Sequence, residues 1–230
     1  MALIAFDLDG TLIDSLFGIH ASIKYVCENN SFITPDIEKL RKEIGPSLKS
    51  YLPKIINQND DKIINLFLKE FNKHHIEIGF KNYYLYKNSE KILKDLKDKD
   101  NNIVLITNKP FKITLKALTF LSIDKLFDNV YSKDSCSDTE FLSKFEKPIF
   151  KKSLYLNYLS NKNKEFQKIY IGDVFQDFLS THQNDFEFIF ASYGYGEFYQ
   201  GKCLFKGSSI TDIYEFICDY IGIKKKSFNT

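Results

Sequence analysis

Carboxylate, hydroxyl and lysine side chains gather at four places in this 230-residue chain. Asp7, Asp9, Gly10 and Thr11 follow a first short apolar run. Thr107, Asn108 and Lys109 end a second, Asp173 and Asp177 follow a third, and Lys147-Pro148 stands between. Carboxylates without His or Cys beside them are ligands for a hard cation, and Mg²⁺ is the usual one next to phosphate. Three or four of them at one point would repel each other unless such a cation sat among them. One carboxylate can attack phosphorus to give an aspartyl-phosphate. Another can protonate the leaving oxygen and later deprotonate water. Thr107 offers a hydroxyl to a phosphoryl oxygen, and a lysine offers a point charge, in a reaction catalysed mainly by positioning and electrostatics. Asp7 and Asp9 alternate along an extended chain, but a turn at Gly10 could fold both toward one substrate.

The elements that must carry these residues follow from the hydrophobic pattern. Residues 2–8 read as a buried strand that ends in an acidic turn. Residues 14–80 read as all helical, without a strand. Asp14 or Ser15 caps a helix through about Asn29, Pro35 sits near another start, Gly45-Pro46 breaks the chain, and Asp60-Asp61 opens a long amphipathic helix up to Gly79. The pattern then alternates. Ser89 opens a helix, 103–107 is a strand, Pro110 starts a helix, and a short strand lies near 128–131. A helix follows Pro148, 168–172 is a strand, 175–182 a helix and 187–191 a strand. Alternation of this kind predicts an α/β fold, a doubly wound parallel sheet with helices on both faces, interrupted after its first strand by a helical insert. Such sheets bind ligands at the carboxyl ends of their strands, where the four polar groups fall. The polar stretch 132–144 reads as a loop, and the tail KKKSFNT as a solvated, frayed terminus.

Composition excludes some functions. Thirty-two basic and 30 acidic residues give a net charge of +2, so no nucleic acid or anionic membrane surface is expected as a partner. No apolar run is long enough for a membrane span, and Asp7 and Asp9 interrupt the first strand too early for a signal peptide. The four cysteines form no paired motif, as expected of free thiols in a reducing cytoplasm. A monomer is the default. Arg41 is the single arginine, so any phosphate must be held mostly by lysines and backbone N–H groups. Arg41 is a candidate for reaching a substrate anion. His20 reads as structural, His74-His75 as a solvated helix face, and the Tyr193-to-Tyr199 loop as packing.

The run Asp7-Leu8-Asp9-Gly10-Thr11-Leu12 resembles the D-x-D-G-T signature of the haloacid dehalogenase superfamily. Ile106-Thr107-Asn108-Lys109 is similar to its second motif, Lys147-Pro148 to its third, and Gly172-Asp173-Val174-Phe175-Gln176-Asp177 to its fourth, all in the family's order. The helical insert, with Gly45-Pro46-Ser47-Leu48, resembles the cap of the subgroup holding phosphoglycolate phosphatases, β-phosphoglucomutases and small 5′-nucleotidases, and Tyr193-Gly194-Tyr195-Gly196 resembles a loop after the fifth core strand of phosphoglycolate-phosphatase-like members. The resemblance implies a Rossmann-like core of residues 1–13 and 82–230 and a cap of residues 14–81. It implies a Mg²⁺-dependent phosphatase for a small phosphorylated metabolite: phosphoglycolate, a nucleotide or a sugar phosphate. A sugar-phosphate mutase is the alternative, and a non-catalytic phosphate-binding protein a third class. Asp7 would be nucleophile and Mg²⁺ ligand, and Asp9 acid/base, with its carbonyl on the metal. Gly10, Thr11, Thr107 and Asn108 would hold phosphate. Lys147 would bridge it to Asp7, and Asp173 and Asp177 would complete the metal site. The third motif commonly carries a second proline where Ile149-Phe150 stands, which leaves Lys144 as a second candidate for the lysine. The insert is expected to pivot on residues 12–16 and 80–84.

Overall fold

The computed structural model describes residues 1–144, 151–197 and 201–228. Its centre is a six-stranded sheet built from β1 (Ala2–Phe6), β4 (Asn102–Ile106), β5 (Asn129–Tyr131), β6 (Gln167–Gly172), β7 (Glu187–Ala191) and β8 (Phe205–Gly207). The order is β5-β4-β1-β6-β7-β8 and every pairing is parallel. The expected doubly wound α/β fold is borne out. β1 lies between β4 and β6, where the winding reverses, so residues just past β1 open into the crevice that such sheets present to ligands.

Burial on both faces explains why these strands are continuous apolar runs. Helices α5 (Ser89–Lys97), α6 (Phe111–Phe120) and α10 (Ile210–Tyr220) cover one face, with Ile4, Phe6, Leu105 and Ile171 beneath them. Helices α7 (Thr139–Lys144), α8 (Lys152–Lys162) and α9 (Phe175–Thr181) cover the other, over Ala5, Val104, Tyr170 and Phe188.

Between β1 and α5 the chain builds α1 (Leu16–Asn29), α2 (Ile37–Arg41), α3 (Leu48–Ile56) and α4 (Asp61–Glu77). These helices share an apolar cluster of their own that includes Ile23, Val26, Leu52, Phe67 and Phe71. Asp36 caps α2 and Asp60 caps α4 through their carboxylates, each accepting two backbone N–H bonds. The two chain crossings between helices and sheet meet in a short antiparallel ladder, β2 (Ile13–Asp14) against β3 (Tyr84–Leu85).

Several expectations are corrected. Asp14 belongs to β2, so residues 14–80 are not free of strand; a two-residue strand leaves no periodicity to read. The stretch 132–144 is not all loop, since Asp138 accepts the Phe141 N–H and starts α7, which buries Phe141. The tail is solvated at Lys224 to Ser227, as expected, but it is pinned rather than frayed through Phe228. Lys226 N donates to Tyr214 Oη, Lys225 pairs with Asp219 at 2.7 Å, and the Phe228 ring lies 5.1 Å from that of Tyr214. β8 and α10 complete the sheet beyond the last strand read from the sequence. Among the described residues no helix is long and apolar enough to cross a membrane.

Candidate active site

Asp7 is the first residue past β1, and its N–H donates to Ile171 O of β6 at 2.9 Å, which fixes it at the crevice. Asp173 follows β6 directly and Asp177 lies in the first turn of α9. Oxygen atoms of these three buried carboxylates lie within 4.8 Å of one another. Gly10 makes the convergence possible. Its φ of +79° turns the chain after Asp9, and a Cβ there would overlap the Asp173 carboxylate.

Lys152, the first residue of α8, reaches into this cluster. Its ammonium is 2.9 Å from Asp7 Oδ1 and 2.7 Å from Asp177 Oδ1, and it donates to Tyr170 Oη at 3.1 Å. Burial opposes the charge on Lys152, but Asp177 and Asp7 outweigh it and hold its pKa well above the ordinary lysine value. Among the described residues, three carboxylates and one ammonium leave two negative charges unbalanced. Burial pushes Asp7 up to about 7 against the pull of Lys152, with Asp177 adding to the push. Asp173 is raised well above the usual carboxylate range by burial and then by Asp7 and Asp177.

Asp9 faces another way. Its Oδ2 is 3.1 Å from the ammonium of Lys109, itself buried behind β4. Lys109 also donates to Tyr83 Oη at 2.9 Å, and its N–H donates to Thr107 Oγ1 at 3.2 Å. Burial again opposes this lysine's charge, and Asp9 and Tyr83 more than offset it, raising the pKa. Asp7, Asp9, Thr107, Asn108 and Lys109 form the floor of a cavity of about 500 Å³. Its roof comes from the helical insert, with Ile44, Leu48, Tyr51, Phe71 and His75 among the lining, and Lys49, Lys112 and Lys133 also line it.

The sequence-predicted residues divide accordingly. Asp7, Asp173 and Asp177 come together, and Asp9, Thr107 and Asn108 share the cavity with Asp7. Thr11 is buried beneath the turn. Arg41 sits over the Tyr195 ring, 5.5 Å from its centroid. Lys147 lies outside the described residues, as does Tyr199. The second candidate, Lys144, is exposed and pairs with Glu140 at 2.7 Å.

Lys152 was missed. Its sequence signal is a lysine at a buried phase of the helix whose apolar positions include Tyr155, Leu156 and Leu159. The reading of both histidines as solvated is corrected for His75, which is buried between Ser22 and Tyr83, while His74 stacks on Tyr25. Tyr193 and Tyr195 pack, as expected: Tyr193 Oη donates to Thr11 O at 2.7 Å. Tyr195 Oη donates to Asp14 at 2.7 Å and accepts from Ser15 N at 2.6 Å and Leu16 N at 3.1 Å.

Fold and site together define a doubly wound α/β protein with a lysine-braced acidic cluster where its sheet reverses, roofed by a helical insert. The chain belongs to the haloacid dehalogenase-like hydrolases, whose family model matches residues 4–191. It is 25% identical over 201 residues to the phosphoglycolate phosphatase of Psychrobacter arcticus, covering 84% of each chain. With the phosphoglycolate phosphatase of Aquifex aeolicus it shares 27% identity over 135 residues, 59% of this chain and 62% of that protein, so this match spans less than two thirds of the relative. The crystal structure of a predicted phosphoglycolate phosphatase from Haemophilus somnus superposes with a TM-score of 0.80 at 23% identity, over 94% of this chain and 98% of the other. The expectation of an enzyme of this superfamily is borne out.

Proposed function

We propose that the chain is a phosphatase that hydrolyses a small phosphomonoester through a phosphorylated Asp7. One observation carries this reading. Asp7 is held by Lys152 on the floor of the same cavity into which Asp9, Thr107 and Asn108 open. The Asp7 carboxylate attacks phosphorus, and the bond from phosphorus to the ester oxygen breaks. Asp9 gives its proton to that oxygen, then takes one from the water that attacks the phosphorylated Asp7. Phosphate leaves and the Asp7 carboxylate returns. Lys152 neutralises charge beside Asp7, while the Thr107 hydroxyl and Asn108 amide hold the transferring group.

The residues also fit a divalent cation. Asp173 Oδ1 is buried without a hydrogen-bond partner, the donors are all oxygen, and the two surplus negative charges match one Mg²⁺. Asp7, Asp173 and Asp177 would hold it, with the Asp9 carbonyl; when bound it supplies electrostatic stabilisation of the phosphoryl oxygens.

Residues 14–81 would act as a cap that moves on the β2–β3 crossings and excludes water when closed. Lys49, Lys112 and Lys133 have no carboxylate within ion-pairing distance among the described residues. They favour a substrate with negative charge beyond its phosphate, such as phosphoglycolate, on which the relatives are named to act. The test is phosphate release from p-nitrophenyl phosphate and a metabolite panel, with Mg²⁺ or EDTA, for wild type and Asp7→Asn. Turnover that needs Mg²⁺ and vanishes in Asp7→Asn supports the reading; Mg²⁺-independent turnover, or turnover that survives the substitution, ends it.

A further inference from the structure

Four buried side chains run without a break from the helical insert to Asp9. The Ser22 hydroxyl on α1 lies 3.0 Å from Gly18 O and 3.1 Å from His74 Nδ1, and with its proton on Gly18 O it accepts from His75. The tautomer that closes the chain carries its proton on His75 Nδ1, 2.8 Å from that oxygen. Burial, with the Lys109 charge adding, keeps His75 well below the ordinary histidine pKa, so the ring is neutral and Nε2 is an acceptor. Nε2 meets the Tyr83 hydroxyl, which therefore donates to it. With its proton committed, the Tyr83 oxygen accepts from Lys109 Nζ at 2.9 Å, and the same ammonium faces Asp9 Oδ2 at 3.1 Å. In this tautomer every link has a donor and an acceptor.

The chain crosses three parts of the molecule. Ser22 and His75 belong to the insert, Tyr83 to the crossing back to the sheet, and Lys109 and Asp9 to the edge of the sheet. Ring packing holds it in place. His75 stacks on Phe71 with centroids 4.7 Å apart, and the Lys109 ammonium lies 4.8 Å from the Tyr83 centroid. A lysine alone, on a flexible stem, would leave the Asp9 carboxylate free to turn. Tethered at Tyr83, the ammonium fixes one carboxylate oxygen and hence the plane of the group.

We propose that Lys109, Tyr83 and His75 are positioning residues that orient Asp9 for proton transfer to the leaving oxygen, and that they do so only while the insert is seated. This rests on the phosphatase reading above. The role separates from simple structural support by the leaving group. The parameter kcat/KM covers the steps up to departure of the alcohol. An alkyl phosphate needs its oxygen protonated, whereas p-nitrophenolate leaves without a proton.

The experiment measures kcat/KM for phosphoglycolate and p-nitrophenyl phosphate, with Mg²⁺, in wild type, Tyr83→Phe, His75→Phe and His75→Gln. For Tyr83→Phe and His75→Phe, kcat/KM on phosphoglycolate is expected to fall at least about 10-fold. On p-nitrophenyl phosphate it stays within about 3-fold, since general acid catalysis contributes roughly 10²–10⁴ to reactions that need it. His75→Gln keeps an amide oxygen for the Tyr83 proton and should recover most of the loss. Equal losses on both esters, or a His75→Gln no better than His75→Phe, would overturn the positioning role while leaving the phosphatase reading intact. A folded wild type that releases phosphate from neither ester removes both. Should Tyr83→Phe fail to fold, the two His75 variants decide the question alone.

Discussion

Two lysines reach two aspartates at the same sheet edge, and their surroundings differ. Lys152 joins Asp7, Asp173 and Asp177, all from the sheet side of the molecule, in a cluster short of positive charge. Lys109 meets Asp9 one for one and continues through Tyr83 into the insert. The first cluster stores electrostatic repulsion that a cation would relieve. The second is balanced in charge without one, with only Asp9 Oδ1 left without a hydrogen-bond partner among its described polar atoms. On the proposed mechanism, cation dependence and insert dependence fall to separate groups of residues less than a helix turn apart in sequence at Asp7 and Asp9.

The sharpest way to break this division is Asp7→Asn. Turnover should fall by at least about 10³-fold, because the proposed nucleophile is gone. In EDTA the same variant should melt higher than wild type, since one of three crowded negative charges is removed. A lower melting temperature would mean that the cluster is not under repulsion. Lys152→Met comes next. It leaves buried carboxylates without the one ammonium that pairs with them among the described residues, and losing one partner of a buried pair costs about 3–5 kcal/mol. Thermal unfolding in EDTA should show that loss, and Mg²⁺ should restore part of it.

The pH dependence sharpens the comparison further. Asp7 has an ordinary pKa of 3.8 and a folded value of about 7. Between the two, the folded chain holds more protons than the unfolded one, so cation-free stability falls as pH rises from about 4 to about 7. Proton and Mg²⁺ compete for the same oxygens, so the melting-temperature gain from Mg²⁺ should grow across that window. Comparing Mg²⁺ with EDTA at each pH cancels titrations elsewhere. A gain that stays flat from pH 5 to pH 8 would place the cation somewhere other than Asp7. The smallest effect is expected at Arg41, whose contact with the Tyr195 ring is worth about 0.5–1 kcal/mol. Arg41→Ala should lower stability by that amount and leave KM near its wild-type value; a KM raised about tenfold would bring Arg41 back into the substrate site.

The sheet side of the site was readable because its chemistry is local. Asp7, Asp9 and Gly10 sit within one turn, and Asp173 and Asp177 within another, so strand ends and short spacings locate them. Lys152 was not readable in the same way, because a surface lysine and a buried one look alike until the helix phase is compared with residues on β1 and β6. The insert shows the other limit. Its amphipathic helices were visible by period, but the ladder of Ile13–Asp14 with Tyr84–Leu85 joins residues some seventy positions apart through two-residue strands. The burial of His75 likewise depends on Ser22 and Tyr83, which approach only after α1 and α4 pack. Pairings over such distances follow from tertiary closure, not from local pattern.

Tyr195 acts at both ends of this arrangement. Its backbone N–H holds Asp173 at 2.8 Å, and its hydroxyl binds Asp14, Ser15 and Leu16, where the insert begins. None of these bonds reaches α3 or α4, whose side chains shape the roof. Selection can therefore alter what the roof admits while the anchorage of the catalytic floor stays unchanged, so that new substrates can be reached by drift in the insert alone.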